Sequence, residues 1–530
     1  MSIFKKLGSN TSVGYSAAIL SGSFFASAIL GLLRDRLLAA NFGLTSGTLD
    51  AYWAAFSIPD MLYFFLVTGA LSVSFIPVFV DRMQSNNKKS AWELSSSVIN
   101  LMALVTLASS ILIFIFAGPL ISLIAPGFEG ERHDLAVALM RIVAVNPFVF
   151  SISTVLGAMQ QASNRFFFFA VSPIVYNLGI IIGIIGLAPR LGIVGVALGV
   201  ALGSVLQLIM HLIGMFGLGF DYQPRIYWKN KGFRNVFSLL LPRSLDQGID
   251  AVNSMVERFI ASFLGFGAIA TYQYALNLHN QPIILIGVAI STAAFPSITK
   301  RAAGNRVDLF KQEVKDVLGV ILWFALPAAA IAFLLRGYLV RLYIGQGNEM
   351  VADALAWFTL AIIFRALFHT LTRAYYAQRD TKTPLMISIV AIGLNIALAF
   401  MFVDWFENSI SGLAAAQSVV AVIEVSLLIY ILHRRLKGVI TWKLIYAGFR
   451  ILLATAAMSI TTYIMVRYIF PLQALDVGFF TLAPKFLAIL AVSGVVYILA
   501  GYILKLKEPT MVINSLKKWL FKPLSTKYFQ

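Results

Sequence analysis

Apolar stretches close to the length of a lipid bilayer, separated by short charged segments, recur along the whole chain. A helix needs about 20 apolar residues to cross the hydrocarbon. Runs such as 174–187 and 486–504 approach this unaided, and most others do once their few polar members are included. Hydrophobic residues make up 59% of the 530 and charged residues 12%, about half the ~25% charged residues of a soluble domain. Open strands cannot cross lipid, because their backbone polar groups would go unpaired. The alternating pattern of an outer-membrane barrel is absent. The expectation is an all-α polytopic membrane protein of about fourteen transmembrane helices. They fall at roughly 14–39, 51–80, 92–119, 135–160, 165–187, 192–217, 231–264, 268–297, 312–336, 352–378, 384–404, 408–433, 446–469 and 479–504. The first stretch is long and has no small-residue cleavage site before Arg34-Asp35-Arg36, so it reads as a retained span rather than a signal peptide.

The net charge of +18 follows the loops. One set carries Lys5 and Lys6; Arg82, Lys88 and Lys89; Arg165; Arg225, Lys229, Lys231 and Arg234. It continues with Lys300, Arg301, Arg306, Lys311 and Lys315, then Arg379 and Lys382, then Arg434, Arg435, Lys437 and Lys443. The other set holds little beyond Arg132, Arg190, Arg336, Arg341 and Arg467. The positive-inside rule makes the first set cytoplasmic, puts both termini inside and requires an even number of spans. The excess charge is then topological, and no nucleic-acid partner is implied. In the tail, Val512, Leu516, Trp519 and Leu520 share a helical face from which Lys517, Lys518 and Lys522 are excluded. That pattern predicts an amphipathic helix on the anionic inner leaflet.

The chain repeats at a spacing of about 218 residues. Arg36-Leu37-Leu38-Ala39 with Gly43 matches Arg258-Phe259-Ile260-Ala261 with Gly265; Ser72 and Pro77 match Ser291 and Pro296. Gly118, Leu120 and Leu123 match Gly337, Leu339 and Leu342; Asn177 matches Asn395; Gly195 and Ala197 match Gly412 and Ala414. Six spans per copy make the two copies parallel, and such folds place a substrate site between lobes. The predicted organisation is a cytoplasmic N-terminus (1–13), a first lobe of six spans (14–217), a second lobe of six (218–433) around a central cavity, two further spans (434–504) and a basic amphipathic tail (505–530).

Ionisable groups inside spans are costly and face a partner or a cavity. The seventh span carries Asp246, Asp250, Asn253 and Glu257 at spacings of 4, 3 and 4, hence on one helical face. The tenth carries Arg365, His369 and Arg373 at 4 and 4, a cationic stripe. Asp250, Arg365 and His369 read as lining a hydrated cavity. Arg36, Glu257 and Arg258, near span ends, read either as helix-locking pairs or as cavity groups. A cavity with cationic and acidic faces suits an anionic head group such as a phosphate held by arginine. Asp246 and Asp250, with Asn395 of the eleventh span, offer oxygen ligands for a hard cation such as sodium; alternatively the two carboxylates pair with Arg243 and Arg365. The chain has no cysteine, which removes disulfides and Cys-based metal centres. It also lacks HExxH spacing, a Walker A sequence and a nucleophile elbow, so no enzyme is expected. The one candidate cofactor is a coupling cation, with coupling to membrane potential as the other energy source.

Several segments match a known family. Leu30-Gly31-Leu32-Leu33-Arg34-Asp35, Asn41-Phe42-Gly43, Asp50-Ala51-Tyr52, Ile58-Pro59-Asp60, Gly69-Ala70-Leu71-Ser72 with Phe75-Ile76-Pro77, and Ala125-Pro126-Gly127-Phe128 stand in the first half. Gly287-Val288-Ala289 with Phe295-Pro296, Ala374-Tyr375-Tyr376-Ala377 and Asp380-Thr381-Lys382-Thr383-Pro384 stand in the second. Over roughly 14–435 the chain resembles the MurJ (MviN) lipid II flippases of the multidrug/oligosaccharidyl-lipid/polysaccharide exporter superfamily. The resemblance implies a multi-pass protein of the bacterial cytoplasmic membrane. It would move undecaprenyl-pyrophosphate-linked peptidoglycan precursor from the inner to the outer leaflet by alternating access, with membrane lipids and cell-wall synthesis proteins as partners. It puts Arg34 and Asp50 on charged positions that the family needs. The chain departs from the family at Ala28, Tyr63 and Asn277, where the family has arginines, and at Thr68, where it has an acidic residue. The candidate substrate-binding set is therefore Arg34, Asp50, Asn277, Arg365, His369 and Arg373. Asp246, Asp250, Asn253 and Glu257 are the candidate cavity or coupling groups. Competing readings are a flippase for another undecaprenyl-linked glycan, a cation-coupled drug antiporter and a non-transporting cell-wall scaffold.

Overall fold

In a computed structural model, residues 13–510 are described apart from 66–74 and positions 86, 305, 408, 437, 440, 474, 475 and 477; side chains are also left out at 13–18 and 238–250. The amphipathic tail predicted beyond 510 lies outside the described residues. Helices α1 (Val13–Phe42), α2 (Thr48–Ala55), α3 (Ser57–Tyr63), α4 (Ile76–Gln84), α5 (Lys88–Ile124), α6 (Gly130–Val143), α7 (Asn146–Ala162), α8 (Phe166–Leu191), α9 (Ile193–Met215) and α10 (Lys231–Ser262) come first. They are followed by α11 (Ala268–Ala303), α12 (Val307–Leu334), α13 (Arg336–Ile344), α14 (Glu349–Ala377), α15 (Lys382–Trp405), α16 (Ile410–Leu436), α17 (Trp442–Ile469) and α18 (Phe479–Ile503). No strand occurs among the described residues.

Eleven spans among the described residues are long and apolar enough to cross a membrane. The three other predicted spans coincide with α1, the α2–α4 stretch and α10, each of which includes positions outside the described set. Prolines explain where spans break. Pro59 cannot donate to the carbonyl of Ala55, and the second predicted span is interrupted there at Phe56. Pro147 likewise leaves the carbonyl of Val143 without its donor, and α6 gives way to α7 at that point. Inside α5, Phe116 leaves helical geometry at φ −96° and ψ 18°, one turn before Pro119.

The chain divides into two compact units, 1–270 and 271–530. In the first, α8 and α9 approach backbone to backbone. A Cβ on Gly179 would stand 2.3 Å from Gly203 Cα, and one on Gly183 would stand 2.6 Å from Gly199 Cα. Lipid gives apolar helices no hydrophobic reason to associate, so small residues and interhelical hydrogen bonds carry the packing. Gln160 and His211 supply such bonds between α7 and α9, with Gln160 Nε2 donating to the His211 carbonyl at 2.7 Å. Buried Thr106 and Ser151 pair their hydroxyls at 3.0 Å between α5 and α7. Each bond of this kind contributes about 0.6 kcal/mol. A cluster of Phe75, Phe79, Trp92, Val98, Met159 and Phe233 fills the same unit at the end carrying the basic loops.

In the second unit α14 packs on α12 and α16 around Phe310, Val314, Leu371, Tyr375, Leu428 and Leu432. Helices α17 and α18, which lie outside the repeat, dock on α12. The Trp323 and Tyr497 rings stack at 4.1 Å, and the Tyr497 hydroxyl donates to the Trp323 carbonyl at 2.6 Å. Large apolar side chains such as Phe480 and Trp442 stand exposed on the outer helix faces, as a lipid-facing surface requires.

The sequence repeat has a counterpart in local geometry. Asn164 and Arg379, 215 positions apart, both take a left-handed conformation, at φ 57° and 61°, just after α7 and α14. Arg165 N–H donates to the Gln160 carbonyl, and Asp380 N–H donates in the same way to that of Tyr375. Gly195 and Gly412 also correspond. A Cβ on Gly195 would strike the backbone at 187–188, and one on Gly412 the backbone at 402–403.

Candidate functional site

Family motifs from three separate stretches meet at one end of the first unit. The α1–α2 turn carries Gly43 and Gly47, both at positive φ. Asp50, in the first turn of α2, is completely buried. Its Oδ1 accepts from Ala270 N–H at 2.7 Å and its Oδ2 from Gly267 N–H at 2.5 Å, which caps the start of α11. Arg132 Nη2 also donates to Asp50 Oδ2, at 2.7 Å, and to the Gly265 carbonyl at 3.3 Å. The Arg132 guanidinium lies over the Phe128 ring at 3.8 Å. Gly127 N–H donates to Ser262 Oγ at 3.1 Å, and a Cβ on Gly127 would stand 2.3 Å from the Ser262 carbonyl oxygen. Both Asp50 oxygens are thus taken up by protein. The structure makes Asp50 a clasp between three segments rather than an open ligand.

Arg34 lies along α1 toward the interior of the same unit. Its Nε and Nη2 both meet Asp35 Oδ1, at 2.8 and 2.7 Å, and its Nη1 donates to Asn177 Oδ1 at 3.1 Å, while its side chain remains 22% exposed. Asn177 Nδ2 reaches on to Ser27 Oγ at 3.2 Å. Tyr52 and Tyr176 complete the polar surroundings. All three guanidinium nitrogens are engaged, which holds the group at a fixed angle. Along α10, Asn253 Nδ2 donates to Glu257 Oε1 at 2.9 Å, both groups being buried. Arg258 Nη1 donates to Ser57 Oγ at 2.9 Å, with the Asp60 carboxylate in electrostatic reach. The side chains of Asp246 and Asp250 lie outside the described residues. Among the described residues no cluster of three acidic or histidine groups is placed to hold a metal ion.

Two of the family departures are neutral and hydrogen-bonded. The Tyr63 hydroxyl pairs with Thr154 Oγ1 at 3.0 Å and its ring packs on Phe150. In the second unit, Asn277 Nδ2 donates to the Tyr343 hydroxyl at 3.2 Å and its Oδ1 accepts from Gln273 Nε2 at 3.0 Å. The cationic stripe lies along α14 as its spacing predicts. Arg365 Nη1 donates to Glu424 Oε2 of α16 at 2.9 Å, and Glu424 Oε1 accepts from Ser388 Oγ of α15 at 2.8 Å. Arg373 Nη2 donates to Thr292 Oγ1 of α11 at 2.7 Å, and its guanidinium lies 5.7 Å from the Phe295 ring centre. Half-buried His369 sits between the two arginines and feels both charges. Asn395 is buried on α15.

A second motif forms a junction just past the C-terminal end of α14. Thr383 N–H and Oγ1 donate to Asp380 at 3.0 and 2.6 Å, capping α15, and Arg435 at the end of α16 pairs with the same carboxylate. Partial burial pushes the Asp380 carboxyl up, but the two Thr383 bonds and the Arg435 guanidinium outweigh it and bring it down to about 2.

Sequence reasoning passed over Arg132 and Glu424. Arg132 was indistinguishable from a topological loop charge. Glu424 is the one acidic residue within the predicted span 408–433, and that isolation is its available signal.

The family model described as lipid II flippase MurJ matches residues 38–483. The chain belongs to this family. The probable lipid II flippase MurJ of Thermotoga maritima is 29% identical over 415 residues, covering 77% of this chain and 83% of that one. The probable lipid II flippase MurJ of Vibrio cholerae is 26% identical over 463 residues, covering 84% and 87%. Among solved structures, lipid II flippase MurJ in an inward closed conformation superposes with a TM-score of 0.76 at 26% identity, covering 92% and 98%. An inward-facing multidrug resistance MATE family transporter of the MOP superfamily gives 0.66 at 12% identity, covering 78% and 95%, a likeness of fold. The protein is thus a multi-pass membrane protein of a transporter family.

Proposed function

We propose that the protein flips lipid II, the undecaprenyl-pyrophosphate-linked peptidoglycan precursor, from the inner to the outer leaflet of the bacterial cytoplasmic membrane by alternating access. The family match over 38–483 carries this reading. Arg34 gives it a chemical basis: an intramembrane guanidinium at a charged family position, oriented by Asp35 and Asn177 and still partly exposed. A fork of this kind binds a phosphate oxygen pair in a way a lysine cannot. Arg373, anchored on Thr292, is the matching cation in the second unit. The neutral, hydrogen-bonded Tyr63 and Asn277 concentrate the head-group charge recognition on these remaining arginines.

Both termini lie in the cytoplasm in this reading, following the loop charges, and the partners are the lipid-linked precursor, bilayer lipids and proteins of cell-wall synthesis. Asp246, Asp250 and Asn395 would couple transport to a cation such as sodium or to membrane potential. One charge moved across the membrane gains about 2.3 kcal/mol per 100 mV, enough to bias the cycle. Transport by Asp250→Asn in vesicles with an imposed gradient tests the coupling: an identical response of variant and wild type to sodium and to potential sinks it. The function itself is tested by rescue of bacteria depleted of their own lipid II flippase. Restored growth is expected, and failure of a membrane-inserted, folded protein to restore it would overturn the reading.

A further inference from the structure

An ionised carboxylate within a membrane span is expensive unless it is both paired and hydrogen-bonded. Glu424 is 2% exposed and meets both conditions: Arg365 holds Oε2 at 2.9 Å and Ser388 holds Oε1 at 2.8 Å. The three residues come from α14, α16 and α15, so the carboxylate is fixed from two sides.

The arginine is held differently. Arginine–carboxylate pairs are frequently bidentate, with both nitrogens of the fork engaged. Here only Nη1 of Arg365 engages Glu424, and among the described residues no other hydrogen bond leaves the guanidinium. Its side chain remains 27% exposed. One and two turns further along the same helix face stand His369 and Arg373, and His279 and His369 both lie in the field of Arg365. The carboxylate thus grips one nitrogen and leaves the remaining edge of the fork open beside two other basic side chains.

We infer that Glu424 is a positioning residue for substrate: with Ser388 it aims the open edge of Arg365 at the pyrophosphate of the lipid-linked precursor. This rests on the flippase reading above. The carboxylate also offsets one positive charge of the stripe. A singly charged head group then gains little on binding, whereas a pyrophosphate, with more charge and more acceptor oxygens, still gains.

The test uses the full chain in proteoliposomes, with lipid II translocation, lipid II binding by native mass spectrometry and the melting temperature in detergent as readouts. Arg365→Gln lowers the melting temperature, because it leaves a buried carboxylate unpaired. The double variant Arg365→Gln/Glu424→Gln removes the pair as a unit and restores the melting temperature, yet translocates roughly tenfold more slowly and binds lipid II correspondingly less well. Glu424→Gln alone raises KM about tenfold with kcat little changed, since the open edge is lost but not the chemistry of the cycle. Ser388→Ala shifts KM in the same direction by less, and supplies the measurement if Glu424→Gln does not fold. A double variant that is stable and translocates and binds like wild type overturns the inference and leaves the flippase reading standing. Absence of lipid II translocation by the wild type overturns the flippase reading and this inference with it.

Discussion

Arg132 donates to Asp50 at 2.7 Å, and the carboxylate it meets is completely buried. The two residues stand 82 positions apart and join the start of α6 to the start of α2. Through Gly267 and Ala270 the same carboxylate also fixes the first turn of α11. Asp50→Ala takes the carboxylate from Arg132, which keeps only the Gly265 carbonyl, and leaves two backbone N–H groups without an acceptor. It should cost roughly 3–5 kcal/mol, the price of breaking one side of a buried pair. Asp50→Asn keeps one acceptor oxygen and should cost less. Thermal unfolding in detergent, followed by circular dichroism, ranks the two, and equal stability of wild type and Asp50→Ala would remove the clasp.

Gly127 presses on the Ser262 carbonyl so closely that a Cβ would stand 2.3 Å from it. Backbone cannot give way as a flexible side chain can. Gly127→Ala should therefore destabilise by about 1–3 kcal/mol, as overpacking does. Gly118→Ala is the control: it meets nothing within 4 Å, and alanine is the better helix former by about 1 kcal/mol. Opposite shifts in melting temperature are expected, and matching shifts would refute the close contact.

Arg34 carries the head-group contact proposed for the first unit. A charge-assisted hydrogen bond contributes about 1.5–3 kcal/mol, so Arg34→Ala should slow translocation roughly tenfold or more. Arg34→Lys should recover part of the loss, because the charge returns but the planar fork does not. Full activity of the alanine variant in proteoliposomes would exclude the role.

The Asp380 carboxyl, held down to about 2 by Thr383 and Arg435, makes stability depend on acid in a defined window. Its unfolded value is about 3.9. The contribution is complete above that value and is lost as pH falls through about 2. Asp380→Asn should melt at a lower temperature than wild type at neutral pH, with the gap narrowing between about pH 4 and pH 2. A gap that stays constant across that window would show that the carboxylate charge does not stabilise the junction.

The ends of most predicted spans fall within a few residues of the helices, because apolar length and flanking charge decide where a helix meets the membrane surface. The predicted 231–264, 384–404 and 479–504 stand beside Lys231–Ser262, Lys382–Trp405 and Phe479–Ile503. The break at Phe56 needed Pro59 to be read as a missing donor rather than as part of a motif. For Asp50, charge and family position suggested a ligand. Its partners are Arg132 and two backbone N–H groups more than two hundred residues away, which no periodicity reveals. The stripe Arg365, His369 and Arg373 was legible from spacing, whereas its anchors Glu424 and Thr292 belong to other helices and required the packed structure.

The glycine seam between α8 and α9 has a mechanical consequence. With Gly179 against Gly203 and Gly183 against Gly199, the two backbones touch along several turns and leave no side-chain layer to shear. A joint without a compliant layer behaves as one stiff beam. Asn177, rooted in that beam, grips Arg34 of α1 and so ties the charged end of α1 to it. Bending in this unit must then concentrate where helices are already interrupted, at Phe56 and at Ala144–Val145. The proline breaks act as flexures, and the glycine seam is the rigid member against which they work.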